Sequence, residues 1–136
     1  MSGQKCYLYI SEFGDVIPVK IGDSSLETLQ TCVEGWVGVV TGRLGGMDVD
    51  LWVNEEGLFR HDFAVNPIAS IICGQTIVGP VVVARSDSEG RTVGFTDAMV
   101  ERIAVTDELS IYPFDRTADQ IVASRKAFIE SQETAV

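Results

Sequence analysis

Val49-Asp50-Leu51-Trp52-Val53-Asn54-Glu55-Glu56-Gly57-Leu58-Phe59 decides how this chain is read. Val49, Leu51 and Val53 alternate with Asp48, Asp50 and Trp52, the period of a strand with one face in a core. Asn54 and Gly57 then bracket two glutamates, and both residue types tolerate the positive φ of a tight turn. The stretch predicts a strand, a polar turn closed by Gly57 at positive φ or in another conformation disfavoured for a side chain, and a returning strand through Leu58 and Phe59.

Upstream, the glycine-rich residues 42–46 predict a turn, and Trp36-Val37-Gly38-Val39-Val40 the strand that enters it. Ser24 and Glu27 form a capping-box pattern, followed by Leu26, Leu29 and Val33 at helical spacing. Gly35 is the expected stop of that helix. Residues 6–10 and 16–21 predict an N-terminal hairpin, with Pro18 marking an edge because it has no N–H for a ladder. Downstream, residues 68–73 fit either a strand or a short helix. Residues 77–84 read as the most strand-like run, with Pro80 suggesting a bulge or an edge. Thr96 is placed to cap a helix over 97–104. Thr117 with Gln120 opens another that runs to about residue 131, its apolar face formed by Ala118, Ile121, Val122 and Phe128.

This order implies an α+β fold: a mainly antiparallel sheet with one early helix and two C-terminal helices, residues 1–136 forming a single domain. Leu26, Leu29, Val33, Val39, Leu51, Val53, Ile77, Val81 and Val83 are the expected core.

Hydrophobic residues make up 46% and charged residues 22% of the 136, a globular composition. No apolar run is long enough to span a bilayer. Residues 1–5 carry no apolar stretch of signal-peptide length, and the three cysteines, Cys6, Cys32 and Cys73, form no Cys-x-x-Cys pair. A cytoplasmic protein with reduced thiols and no membrane association is expected. Twenty acidic residues against ten basic ones give a net charge of −10. That argues against direct nucleic-acid binding, which depends on Lys and Arg neutralising phosphates.

Candidate binding residues gather around the central stretch: Trp52, Asn54, Glu55, Glu56, Arg60, His61 and Asn66, with Arg43 from the glycine-rich turn. Glu55 and Glu56 as a carboxylate pair would suit acid–base chemistry only if their environments differ. Neighbours on a strand point to opposite faces, which works against one reaction centre. Asp48, Asp50 and Asn54 lack the EF-hand spacing, because Trp52 occupies the third ligand position. With one histidine in the chain, a multi-histidine zinc site is excluded. No metal and no cofactor is expected. Residues 42–46 lack the Gly-Lys-Ser/Thr ending of a phosphate-binding loop. Arg43, Arg60 and Trp52 are the residues that a small nucleotide would use.

The order of the early helix, Gly35-Trp36-Val37, Asn54-Glu55-Glu56-Gly57-Leu58, Val65-Asn66-Pro67 and Ile77-Val78-Gly79 resembles the phage and plasmid family labelled domain of unknown function 3846. The resemblance spans roughly residues 7–84 and leaves a helical extension over about 94–132. It implies an accessory protein of a phage or other mobile element in the cytoplasm of an infected bacterial host. Such a protein is expected to bind a host protein or a small nucleotide signal without turnover, in host modulation or counter-defence. A small hydrolase or transferase using Glu55 or Glu56 is one alternative. A structural or regulatory homo-oligomer is another. A homodimer is expected through the last helix or through strand edges near Pro18 or Pro80.

Overall fold

The computed structural model describes residues 6–134. The alternation in residues 49–53 becomes the inner strand of a hairpin. β3 (Val37–Leu44) and β4 (Met47–Asn54) pair antiparallel, from Val37 opposite Asn54 to Leu44 opposite Met47. Gly45 and Gly46 make the turn at φ +60° and +74°, the two successive positive φ values of a type I′ turn.

β4 then pairs with β5 (Val81–Ser86), β5 with β1 (Cys6–Ile10), and β1 with β2 (Val16–Lys20). The order is β2-β1-β5-β4-β3, antiparallel throughout, with the short β6 (Thr92–Val93) paired to the end of β5. Helices cover both faces. Leu8, Ile10, Val49, Leu51, Val81 and Val83 share one core with Ala69 of α2 (Pro67–Cys73), Ile103 of α3 (Asp97–Thr106) and Phe95. Tyr7, Tyr9, Ile17, Val19, Val82 and Ala84 share the other with Leu29, Cys32 and Val33 of α1 (Ser25–Val33) and Ile121 of α4 (Ala118–Thr134). β1 and the first four residues of β5 are buried on both faces, which is why they read as continuous apolar runs. The chain is α+β, with an antiparallel sheet between two pairs of helices.

Ser24, Thr96 and Thr117 cap their helices as the sequence predicts, Ser24 without, among the described residues, the reciprocal Glu27 bond of a full box. Ser24 accepts from Glu27 N at 3.2 Å and Thr96 from Met99 N at 3.2 Å. Thr117 and Gln120 bond each other's backbone N–H at 3.1 and 3.0 Å, a complete capping box. α4 lays its Ala118 and Ile121 side on its own sheet and α1.

Several expectations are corrected. The chain does not return as a strand after Gly57. Residues Gly57–Phe59 form a 3-10 turn, and Gly57 is absent from the positive-φ glycines. Gly57 is buried against Val78 and Phe63: a Cβ there would lie 3.3 Å from Val78 Cγ2, a tight contact, and 3.6 Å from Phe63 Cδ2, an ordinary one. Of the two readings of residues 68–73 the helical one holds, because Asn66 accepts from Ala69 N and Pro67 supplies the fixed φ of a first helical turn. The run over 77–84 divides at Gly79, whose φ is +81°. Its first part forms only an isolated bridge between Val78 and Val65, and β5 starts at Val81. The left-handed stop of α1 is Glu34 at φ 63°, one residue before Gly35. Gly35 serves instead to let Asn54 approach, since a Cβ there would meet Asn54 Nδ2 at 2.8 Å. Leu26 and Val39 are exposed rather than core, because α1 buries its Thr28, Leu29, Cys32 and Val33 side and Val39 lies on the terminal strand. Val53 is half-buried.

Cys6 and Cys32 are buried and Cys73 half-buried, all as free thiols. Burial, reinforced by Asp115 and Asp97, pushes the Cys6 thiol up to about 11; burial with Asp119 pushes Cys32 up to about 12. The unfolded chain therefore releases these protons first. The stability they hold is intact below about 9 and is lost as pH rises towards 11 to 12. A thiol-reactive chromophore should label Cys73 quickly in the folded protein. Cys6 and Cys32 should react only on unfolding; three equally fast thiols would contradict this packing.

Candidate functional site

The predicted residues divide into three groups. Asn54 sits at the end of β4 and joins two segments. Its Nδ2 donates to Val33 O at 2.9 Å and Glu34 O at 3.3 Å, and its Oδ1 accepts from Glu56 N at 2.8 Å. Glu55 N donates to Trp36 O at 2.8 Å. The loop after β4 is thus bonded to the end of α1 and the start of β3. Glu55, Glu56 and His61 are exposed on this loop. Arg60 lies between them and the body of the protein. It donates to Asp62 at 2.7 and 2.6 Å and to Glu34 Oε1 at 3.2 Å, and its guanidinium lies 4.2 Å from the Phe63 ring centroid. The Asp62 hydrogen bond raises the Arg60 pKa, and the same bond lowers that of Asp62.

Two residues lie apart from this loop. Arg43 is near the far end of the hairpin, bonded to Asp48 at 2.6 Å and Gly46 O at 2.7 Å. It is six strand residues from Val37, about 20 Å of extended chain. Trp52 faces the α1 side of the sheet, where its Nε1 is buried without a hydrogen-bond partner among the described residues. Arg43, Arg60 and Trp52 therefore line no common pocket.

Asn66 belongs to neither group. It is fully buried. Its Nδ2 donates to Ile10 O at 3.0 Å and Gly79 O at 2.9 Å, while its Oδ1 caps α2. It ties β1, α2 and the turn before β5 together.

The densest electrostatic feature centres on Arg125, outside the candidate residues of the central stretch. Arg125 of α4 reaches Glu12 at 2.6 and 3.3 Å and Glu34 at 2.9 Å. The Arg125 side chain is 5% exposed and that of Glu12 0%. With Arg60 and Asp62 these groups form one alternating network, flanked by the rings of Phe13 and Phe63. Burial alone would lower the Arg125 pKa. The Glu12 hydrogen bond and the charges of Glu12 and Glu34 outweigh that and raise it. One sequence signal pointed here: Ala118, Ile121, Arg125 and Phe128 recur at helical spacing, so a cation interrupts the apolar stripe of α4. Its partners are 113 and 91 residues away in the chain, beyond any local motif.

The loop geometry leaves Leu58 and Phe59 projecting, 80% and 83% exposed. They stand on a 3-10 turn closed by Phe59 N to Glu56 O at 3.0 Å and Arg60 N to Gly57 O at 3.1 Å, with Asn54 Oδ1 accepting from Glu56 N at 2.8 Å.

Asn54-Glu55-Glu56-Gly57, Asn66 and Gly79 are thus the residues that join the end of β4 to α1 and α2 to β1 and β5. The sequence matches the family Domain of unknown function (DUF3846) over residues 5–109. The chain belongs to this family. The match continues past residue 84 to take in β6 and α3, and ends before α4. Arg125 therefore lies outside the matched region, while its partners Glu12 and Glu34 lie within it. Neither the curated proteins nor the solved structures contain a match. No helix among the described residues is long and apolar enough to cross a membrane.

Proposed function

We propose that this member of the DUF3846 family is an accessory protein of a phage or mobile element that binds a host protein, without turnover, in the host cytoplasm. The observation that carries the reading is the Leu58–Phe59 turn. Adjacent exposed apolar side chains mark candidate interaction sites, and aromatic rings such as Phe59 are enriched at interfaces. Holding them in place beforehand reduces the ordering cost of binding. Glu55 and Glu56 beside them suit a partner with an apolar pocket and a basic rim. The adjacent glutamates are exposed at the end of β4, an arrangement that fits a charged rim better than a reaction centre. The small-nucleotide reading draws less support, because its three residues are spread over the sheet and the loop.

The test is co-purification from bacterial lysate with the wild type and with Leu58→Asp/Phe59→Asp. Both side chains are exposed, so the variant should keep its circular dichroism and unfolding midpoint. A protein retained by the wild type should be lost by at least about tenfold in affinity with the variant. Undiminished capture by a folded variant would reject this surface.

A further inference from the structure

The two edges of the sheet are treated differently. An edge strand presents unpaired N–H and C=O groups, and proteins normally blunt or cover them. At the β2 edge the chain covers its own strand. Tyr112 N donates to Val16 O at 3.0 Å, Lys20 N to Arg116 O at 2.8 Å and Arg116 N to Pro18 O at 2.9 Å. Pro18 itself removes one donor. At the other end, among the described residues, β3 pairs with β4 alone. β3 is eight residues long and contains no proline, lysine or acid. α2 meets the face of this strand at Gly42, where an added Cβ would lie 2.8 Å from Ile72 O. Val39 is 53% exposed and Trp36, just before the strand, 70%.

We propose that the β3 edge is the interface between two copies of this chain, paired antiparallel about a two-fold axis. Charge selects this occupant. Two chains of net charge −10 repel each other unless the contact is locally complementary. β3 carries one charge, Arg43 near its C-terminal end, and Asp48 of β4 pairs it at 2.6 Å, so the edge is locally neutral. Exposed Glu55 lies beside its N-terminal end, its N–H bonded to Trp36 O. Antiparallel pairing centred on Val40 sets Val37 opposite Arg43, Gly38 opposite Gly42 and Val39 opposite Thr41. No like charges then face each other across the strands. Each Arg43–Asp48 pair comes to the N-terminal end of the other strand, with Glu55 one strand further in, on the β4 side of Trp36. The backbone groups of β3 gain partners, and the sheet runs continuously through both copies. This inference does not depend on the Leu58–Phe59 surface.

Light scattering of the full chain should give twice the 14.8 kDa chain mass. Val39→Lys, which leaves the half-exposed position soluble but blunts the edge, should weaken dimerisation by about tenfold or more. Thr41→Lys, exposed on the same strand and opposite Val39 of the other copy, should weaken it too. Amide exchange supplies a readout free of mutation: protection within residues 37–44 of the wild type should rise with protein concentration. A chain that stays monomeric at every accessible concentration overturns the proposal. So does a dimer that Val39→Lys leaves intact with no concentration-dependent protection in β3, which would move the contact to α4 or elsewhere.

Discussion

Arg125→Ala is expected to lower stability by about 3–5 kcal/mol, the usual cost of removing one partner from a buried ion pair. Both Glu12 oxygens receive hydrogen bonds from Arg125, and the Glu12 side chain is 0% exposed. Without the guanidinium that carboxylate is buried unpaired, and Glu34 keeps only Arg60. The loss belongs to the stranded acid more than to the missing attraction, so a second substitution should recover part of it. Arg125→Met with Glu12→Gln places an apolar side chain beside a neutral amide. It should be more stable than Arg125→Met alone. Urea unfolding of the two single variants and the double variant measures this coupling directly. A loss below about 1 kcal/mol, the range of exposed pairs, would mean that the network is solvated.

Asn66→Asp should cost on the order of 3 kcal/mol although it changes the side-chain volume very little. Nδ2 gives hydrogen bonds to two buried carbonyls, Ile10 O and Gly79 O. A carboxylate cannot donate to either, and it sets a negative charge against both. Oδ1 still caps α2, so the helix start should survive while β1 and the turn at Gly79 separate. Asn66→Ala removes the cap as well and should be at least as damaging. Unfolding midpoints near the wild-type value for both variants would show that the hydrogen bonds at Asn66 hold little together.

How much could be read from the chain follows from how local each signal is. The alternation in 49–53 and the caps at Ser24, Thr96 and Thr117 act over a few residues and appear where they are expected, whereas the turn expected over 42–46 shrinks to Gly45 and Gly46, because residues 42–44 pair with β4 and extend β3. Asn54 and Gly57 suggest a positive-φ turn from sequence, whereas Gly57 starts a 3-10 turn packed against Val78, a contact 21 residues away that no local pattern shows. Glu34 takes the left-handed position before Gly35 while its carboxylate is held by Arg60 and Arg125. That contact is tertiary and invisible to a rule about glycine. Val39 alternates like a core residue, but a strand at the end of the sheet has no neighbour to cover it. Of the candidate site, Asn54, Glu55, Glu56, Arg60 and His61 do come together on one loop. Asn66 proves to be an internal tie, and Arg43 and Trp52 stand apart. The buried Arg125 network joins groups about a hundred residues apart and could be suspected only from a cation on an apolar stripe.

Site-specific photo-cross-linking tests the proposed partner-binding role most directly. A photoreactive phenylalanine analogue replaces Phe59, which is 83% exposed, in the full chain expressed in bacterial cells; a control carries it at the exposed loop residue Ser88. Binding through the Leu58–Phe59 turn predicts one discrete protein adduct from position 59, absent from position 88 and reduced by Leu58→Asp. No adduct from position 59, or the same diffuse adducts from both positions, would contradict it.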